Sequence, residues 1–263
     1  MKTISISTLN AMKENDEKFA VLTAYDYTFS RLIESSSIEV SLVGDSLGNV
    51  IQGCDSTIPV TVDEMAYHTA AVKRGNKRSL LVSDMPFMSY STEVNALDNA
   101  AVIMQAGAQM VKLEGGEWLA DTVHLLTERG IPLCGHVGLT PQSVHKLGGY
   151  KVQGKDDHAA DQMIKEALIL EEAGADLMVV ECVPSSLGDD LSAALNIPVI
   201  GIGAGPGTDG QVLVLQDMLG ISQRLPKFSK DFLKESNSIQ DAITAFGNEV
   251  RSGTFPAPEH SFK

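Results

Sequence analysis

The sequence predicts an α/β protein that folds as a (β/α)8 (TIM) barrel. Eight short apolar runs lack polar alternation, which is typical of strands buried on both faces of a parallel sheet. Amphipathic stretches with helical periodicity separate most of these runs. Alternating strands and helices imply right-handed crossovers, and eight such units fill a chain of 263 residues, so a closed barrel is favoured over an open sheet.

The strands and helices are predicted in a regular order. The strands are Phe19–Thr23, Val40–Val43, Leu80–Val82, Met110–Leu113, Leu133–Gly135, Leu177–Val180, Val199–Ile202 and Val212–Leu215. The helices are Val62–Arg74, Thr92–Ala106, Glu117–Arg129, Ala159–Ala173, Ser185–Leu195 and, as a C-terminal helix, Ile239–Val250. An N-terminal extension ends at Lys18, and the segments Gly44–Asp63 and Gly138–His158 are predicted to be loop-like.

The helices are predicted from one-sided apolar spacing and from signals at their ends. Met65, Thr69 and Val72 lie on one side of the first helix. Thr92 is a suitable N-cap for the second helix, whose periodic face stops at Gly107. Glycine or proline follows each of the next three helices within three residues. Because no change of composition marks a boundary, residues 1–263 are predicted to form a single catalytic domain.

The charge balance argues against nucleic acid and membrane surfaces as partners. The chain has 34 Asp and Glu against 20 Lys and Arg, a formal net charge of −14 and a pI near 4.8. Phosphate backbones and anionic membranes both attract basic surfaces, so we expect neither. The first residues lack the long apolar core of a signal peptide, and the three cysteines have no disulfide or zinc spacing. We therefore expect a cytoplasmic protein.

Polar residues stand at the ends of five successive predicted strands, the second to the sixth. The carboxyl ends of all strands in a parallel barrel gather at one rim, where active sites lie, so we expect these side chains to lie close together. They are Asp45, Ser46, Asp84, Lys112, Glu114, His136 and Glu181. A single Asp among them is more simply a turn former or a helix cap. Lys112 and Glu114, however, share a strand face, where an unpaired charge would be costly.

Asp45, Asp84 and Glu114 form a candidate metal site. Carboxylates without nearby His or Cys suit a hard divalent cation such as Mg²⁺, and three carboxylates converging without a cation would repel one another. The alternative is that Lys112 neutralises Glu114 or Asp84 as a buried ion pair. A Schiff-base role for Lys112 is disfavoured because the acids on the flanking strands would keep its amine protonated.

Glu181 and His136 are further candidates for chemistry. The apolar strand before Glu181 can raise the pKa of its carboxyl and make it a general base, although a salt-bridged acid at a strand end is the alternative. His136 either donates to a substrate carboxylate or is satisfied by backbone groups. The segment Gly201–Gly210 contains a formal G-x-G-x-x-G, but it leads into a strand and not a helix. A tight turn is therefore favoured there over a phosphate cradle.

Several segments of the sequence resemble ketopantoate hydroxymethyltransferases. The segments are Val43–Gly48, Tyr67–Val72, Lys112–Gly116, Gly135–Gln142, Gly201–Gly205 and Pro226–Phe228. The resemblance runs in order from about Phe19 to the tail Glu259–Phe262 without large gaps. Cys54 departs from the pattern, where a larger polar or aromatic residue is expected, and this affects only the packing of its loop.

The resemblance implies a homo-oligomeric (β/α)8 enzyme of pantothenate biosynthesis, usually a decamer. It implies transfer of a one-carbon unit from 5,10-methylenetetrahydrofolate to 3-methyl-2-oxobutanoate, which gives 2-dehydropantoate and tetrahydrofolate. By matching motif it implies an Mg²⁺ site at Asp45, Asp84 and Glu114, and Glu181 as the general base. The implied contacts of the 2-oxoacid are Asp45, Ser46, Asp84, Lys112 and His136.

Two other functions are compatible with the sequence. One is a Mg²⁺-dependent lyase of the phosphoenolpyruvate mutase and isocitrate lyase type, which is disfavoured because the chain lacks clustered arginines and a reactive Cys-containing loop. The other is a barrel that binds a small metabolite without turning it over.

Overall fold

The computed structural model describes residues 3–263, and its eight strands form a closed parallel barrel in sequence order. The strands are β1 Phe19–Thr23, β2 Val40–Val43, β3 Leu80–Asp84, β4 Met110–Glu114, β5 Leu133–Gly138, β6 Leu177–Glu181, β7 Val199–Ile202 and β8 Gly210–Leu213. The predicted fold class is confirmed. Strands β3 to β6 extend beyond their predicted ends and so include polar residues, whereas β8 begins and ends two residues earlier than predicted.

All six predicted helices are present, together with five that were not predicted. The helices are α1 Ile6–Glu14, α2 Tyr27–Ser35, α3 Leu47–Val50, α4 Val62–Gly75, α5 Glu93–Gln105, α6 Ala120–Glu128, α7 Val144–Leu147, α8 Asp157–Glu172, α9 Ser185–Ala194, α10 Leu215–Met218 and α11 Ile239–Arg251. Helix α1 occupies the predicted N-terminal extension, whose first residues, Met1 and Lys2, lie outside the described residues. Helices α3 and α7 lie within the two segments predicted to be loop-like.

The alternation of strands and helices has one gap. The described residues 203–209 join β7 to β8 as a tight turn without a helix, as favoured for this glycine-rich segment. The C-terminal helix α11 packs against β1 and α2, so it completes the ring of helices at the position that follows β8. The C-terminal tail covers the end of β7, where the rings of Phe228 and Phe262 lie against Gly203 and the Phe262 carbonyl accepts from the Ser185 N–H.

Local hydrogen bonds explain where the longer helices begin. The Thr92 side chain accepts from the Asn95 N–H at 3.2 Å, which confirms the predicted N-cap of α5. Thr61 and Glu64 form a capping box at the start of α4, because each side chain accepts from the other residue's backbone N–H. These caps satisfy amides that have no partner within the helix and thereby fix the helix starts.

Two apolar layers enclose the strands. Alternate strand residues point into the barrel and form an interior core that Leu9 of α1 closes at the amino end of the strands. The intervening residues, such as Val111 and Leu113, pack outward against the helices. This two-residue period places Lys112 and Glu114 on the interior side of β4.

Within residues 3–263, no helix combines the length and the apolarity needed to cross a membrane.

Arg251→Gln is expected to destabilise the fold by about 1–3 kcal/mol, because it leaves the buried Glu39 carboxylate without its cation. Arg251 Nη1 lies 3.0 Å from Glu39 Oε1, and the Ala20 N–H donates to Glu39 Oε2 at 2.8 Å. Urea unfolding measures the loss. The control is Lys165→Gln, which breaks an exposed ion pair with Glu117 and should cost less than about 1 kcal/mol. Equal effects of the two variants would contradict this account.

Candidate active site

Strand register brings the candidate residues of β3 to β6 together at the carboxyl end of the barrel. Asp84 is the register partner of Lys112, and Glu114 is the register partner of His136. Asp84, Lys112 and His136 each lie two positions beyond an interior apolar residue of their strand. Glu114 lies two positions beyond Lys112, so all four residues point toward the barrel axis. The predicted clustering of side chains at one rim is therefore present.

Lys112 is the central cation of the site and is 4% exposed. Its Nζ lies 3.1 Å from Asp84 Oδ1 and 3.6 Å from Glu114 Oε1, so the buried ion pair considered from the sequence is present. The Nζ also lies 3.1 Å from His136 Nδ1. Burial alone would lower the pKa of Lys112. The negative charges of Asp84, Glu114 and Asp45 raise it by more than burial lowers it, so the net pKa lies above the ordinary value. The amine is therefore protonated.

His136 connects Lys112 to Glu181. Where His136 is neutral, a donor contact from the protonated Lys112 to Nδ1 puts the imidazole proton on Nε2. Burial and Lys112 lower the pKa of His136, but Glu114 and Glu181 raise it by more, so the net pKa lies above its ordinary value. Nε2 lies 3.4 Å from Glu181 Oε2, which is close enough for an ion pair but lacks hydrogen-bond alignment. Burial raises the pKa of Glu181 and His136 opposes that shift, so the pKa remains above its usual value. The direction predicted from the sequence is confirmed, whereas the role as general base stays a prediction.

Asp45 and Asp84 lie side by side. The Asp45 N–H donates to Asp84 Oδ2 at 3.0 Å, and both residues are at most 3% exposed. Burial raises the pKa of Asp45, and the negative charges of Asp84 and Glu114 raise it further. Asp84 Oδ1 is buried and has no aligned hydrogen-bond donor among the described residues, despite its ion-pair contact with Lys112. Lys112 is therefore the cationic partner of that oxygen.

The loop after β2 places Ser46 beside this pair. Ser46 Oγ lies 2.8 Å from the Tyr25 hydroxyl. A Cβ atom at Gly44 would approach Ser46 Oγ to 2.8 Å and Asp84 Oδ2 to 3.6 Å. Because glycine has no side chain, the side chains of Ser46 and Asp84 can both approach the backbone of Gly44.

The three carboxylates predicted to bind a metal are close but do not form a ready ligand set. Among residues 3–263, no group of three or more His, Cys, Asp or Glu side chains is arranged to hold a metal ion. The reason is that Glu114 is already engaged, since Oε2 accepts from the Gln142 N–H at 3.0 Å and Oε1 lies near Lys112 and His136. The metal-ligand roles of Asp45, Asp84 and Glu114 therefore stay predictions.

Three buried residues at the site were not singled out from the sequence. Tyr25 contacts Ser46, and Gln142 donates to Asp45 Oδ2 at 2.8 Å. Tyr90 donates to Gln142 Oε1 at 2.5 Å. Their polar groups lie on loops after β1, β3 and β5, where no periodicity marks them. The only available signal was that Gln142 lies in the motif Gly135–Gln142.

Gly138→Ala is expected to destabilise the protein and to displace Glu181. Gly138 has φ +92° and is the register partner of Glu181, whose carbonyl oxygen would lie 2.3 Å from the new Cβ. Gly130→Ala is the matched control, because Gly130 also has positive φ, +80°, but its Cβ would meet nothing within 4 Å. The control should lose about 1–2 kcal/mol from backbone strain alone. Thermal unfolding should show a larger loss for Gly138→Ala, and equal losses would contradict the contact.

A closed parallel barrel with buried acids, a lysine and a histidine at the carboxyl ends of its strands defines a barrel enzyme. Residues 3–258 match the model of the ketopantoate hydroxymethyltransferase family. A relative from Marinomonas sp., called 3-methyl-2-oxobutanoate hydroxymethyltransferase, is 58% identical over 100% of this chain and 96% of its own length. A relative of that name from Shewanella sediminis is 57% identical over 100% of both chains. The chain belongs to the ketopantoate hydroxymethyltransferase family, which confirms the resemblance.

Solved structures with low sequence identity share the fold. A phosphoenolpyruvate phosphomutase from Streptomyces platensis aligns with a TM-score of 0.62 at 12% identity, over 82% of this chain and 83% of its own. A phosphonopyruvate hydrolase, solved with oxalate and Mg²⁺, aligns with a TM-score of 0.62 at 12% identity, over 98% of this chain and 93% of its own. These similarities support the barrel architecture alone.

Proposed function

We propose that this enzyme transfers a hydroxymethyl group to 3-methyl-2-oxobutanoate to give 2-dehydropantoate. The one-carbon donor is 5,10-methylenetetrahydrofolate, which leaves as tetrahydrofolate, and water supplies the hydroxyl oxygen. The names of the 58% and 57% identical relatives support this acceptor. The observation that carries the proposal is a half-buried carboxylate with a raised pKa, Glu181, next to the His136–Lys112 pair.

The residues present fit a divalent cation. Asp45, Asp84, Glu114 and Glu181 outnumber Lys112 and His136, so negative charge is in excess even when the histidine is protonated. All the available ligand atoms are oxygens, and Asp84 Oδ1 lacks a hydrogen-bond donor, which suits Mg²⁺. Asp45 and Asp84 would hold the ion, and Glu114 would add its negative charge to the site. When bound, the ion supplies a Lewis acid that stabilises negative charge on the keto oxygen of the substrate.

The chain's own residues bind the oxoacid and move its proton. Lys112 and Ser46 contact the substrate carboxylate, which offsets the repulsion expected from the surrounding acids. Glu181 takes the proton from the substrate carbon next to the ketone. The electron pair left on that carbon forms the new C–C bond to the folate methylene as one of the two folate C–N bonds breaks. Water then displaces the second folate nitrogen, which gives the hydroxymethyl group and tetrahydrofolate with both nitrogens protonated. His136 Nε2–H faces Glu181 and stabilises its charged form before the transfer.

Family membership supports further proposals about context. We infer that the enzyme acts in pantothenate biosynthesis in the cytoplasm and assembles as a homo-oligomer, a decamer. Large apolar side chains such as Trp118 and Val94, each 66% exposed, offer surface for contacts between subunits. Analytical ultracentrifugation measures the subunit number, and a monomer at micromolar concentration would refute the assembly.

Product analysis tests the proposed reaction. The purified protein is incubated with 3-methyl-2-oxobutanoate, 5,10-methylenetetrahydrofolate and MgCl₂, and the products are identified by mass spectrometry. We expect 2-dehydropantoate only when all three are present, and we expect chelation of the metal to stop its formation. Consumption of a 2-oxoacid without the folate would instead favour the lyase reaction. Binding of the oxoacid without any product would refute the transfer.

A further inference from the structure

We propose that Gln142 is a positioning residue whose side chain orients the carboxylate of Asp45 toward the oxoacid site. The inference rests on the proposed function, because it assigns Gln142 a task in that same site. Gln142 is 5% exposed and lies in the 3-10 helix Pro141–Ser143, which follows β5.

Every polar group of the Gln142 side chain has a partner. Nε2 donates to Asp45 Oδ2 at 2.8 Å and to the Met85 carbonyl oxygen at 2.9 Å. Oε1 accepts from the Tyr90 hydroxyl at 2.5 Å. The backbone N–H of Gln142 donates to Glu114 Oε2 at 3.0 Å. One residue therefore links groups that belong to β4 and to the loops after β2, β3 and β5.

These partners allow only one orientation of the amide. If the amide were rotated by half a turn, Oε1 would face Asp45 Oδ2 and the Met85 carbonyl, both of which are acceptors, and Nε2 would lose its two acceptors. The observed orientation holds one Asp45 oxygen and directs the other away from Gln142. Because ligand carboxylates depend on such outer contacts for their orientation, Gln142 fixes the geometry in which Asp45 meets a cation and the substrate.

The alternative is that Gln142 only packs the loop after β5, in which case its loss would lower stability without changing ligand affinity. Two variants separate the possibilities. Gln142→Met keeps the size of the side chain and removes its donors, and Gln142→Asn keeps an amide that is one methylene too short to reach Asp45. The control is Ser143→Ala at the next position of the same turn, where the side chain is half-buried.

Mn²⁺ binding is measured by electron paramagnetic resonance, 3-methyl-2-oxobutanoate binding by calorimetry, and folding by thermal unfolding. We expect both Gln142 variants to bind Mn²⁺ roughly 10–100-fold more weakly and the oxoacid more weakly as well, while Ser143→Ala matches the wild type. If Gln142→Met does not fold, Gln142→Asn carries the test.

Three outcomes are informative. Weaker binding of both ligands in a folded variant supports the proposal. Wild-type affinities in a folded Gln142 variant overturn it and leave Gln142 as a packing residue, with the proposed function intact. Absence of Mn²⁺ and oxoacid binding in the wild type itself overturns the metal-dependent reaction and the role of Gln142 together.

Discussion

Glu181→Gln is expected to slow the exchange of the substrate proton next to the ketone by about 10²–10⁴-fold, the usual contribution of a general base. Glutamine has nearly the same shape, but it cannot take a proton at neutral pH. The measurement follows loss of this proton signal of 3-methyl-2-oxobutanoate by NMR in deuterated buffer with Mg²⁺. Because exchange needs no folate, it isolates the step assigned to Glu181.

The control for the Glu181 experiment removes an acid elsewhere. Glu172→Gln changes an exposed residue at the end of α8 and should leave the exchange rate unchanged. Mg²⁺ binding should persist in Glu181→Gln, since Asp45 and Asp84 are retained. Undiminished exchange in Glu181→Gln would reject the residue as the base. Loss of Mg²⁺ binding together with exchange would mean that Glu181 shapes the site without carrying the proton.

The pH dependence of exchange follows from the same carboxyl. Burial raises the pKa of Glu181 above the ordinary glutamate value of about 4.3. A base acts only when it is ionised, so the rate should increase with pH through that raised pKa. A rate that is already constant with pH above about 4 would contradict the assignment.

Most of the fold could be predicted from the sequence because strands and helices each left a distinct apolar pattern. Runs of apolar residues marked all eight strands, and one-sided spacing marked six of the eleven described helices. Helix α1 was missed because it is short and polar, with Leu9 as its one fully covered apolar residue. The turn that joins β7 to β8 without a helix was favoured from the sequence because the glycine-rich segment leads into a strand.

The candidate site was only partly predictable, for a different physical reason. Asp84, Lys112 and His136 each continue the inward period of a strand, so the barrel alone brought them together. The state of Glu114 depended on the backbone N–H of Gln142. Contacts made by loops depend on the local backbone geometry, which cannot be predicted from the spacing of apolar residues in the sequence. The family resemblance implied Glu114 as a site residue, but it carried no information on which groups contact its carboxylate oxygens.

Lys112→Met is expected to cost the folded protein about 3–5 kcal/mol near neutral pH, because it leaves the buried carboxylates of Asp84 and Glu114 without their cation. It should also remove binding of 3-methyl-2-oxobutanoate, since Lys112 is assigned to the substrate carboxylate. Urea unfolding measures the first effect and calorimetry the second.

The stability loss in Lys112→Met should shrink as the pH falls. Burial already raises the pKa of Asp84, and Lys112 opposes that shift, so without the lysine the pKa rises further above the unfolded value of about 3.9. A carboxyl with a raised pKa binds more protons in the folded state than in the unfolded state. Its contribution to stability is therefore present at low pH and is lost as the pH rises through the folded pKa. A deficit that is independent of pH would indicate lost packing and not unpaired charge.

A second lysine and a chemical trap complete the test of Lys112. Lys13→Met breaks another partly buried ion pair, with Asp209 at 2.7 Å, far along the chain from the candidate site. It should lower stability without changing oxoacid binding, which separates the two effects of Lys112→Met. Borohydride added to the wild type with the oxoacid should trap no adduct at Lys112, because the neighbouring acids keep its pKa high and its amine protonated. An adduct at Lys112 would instead indicate a mechanism that passes through an imine between Lys112 and the substrate, which would contradict the proposed mechanism.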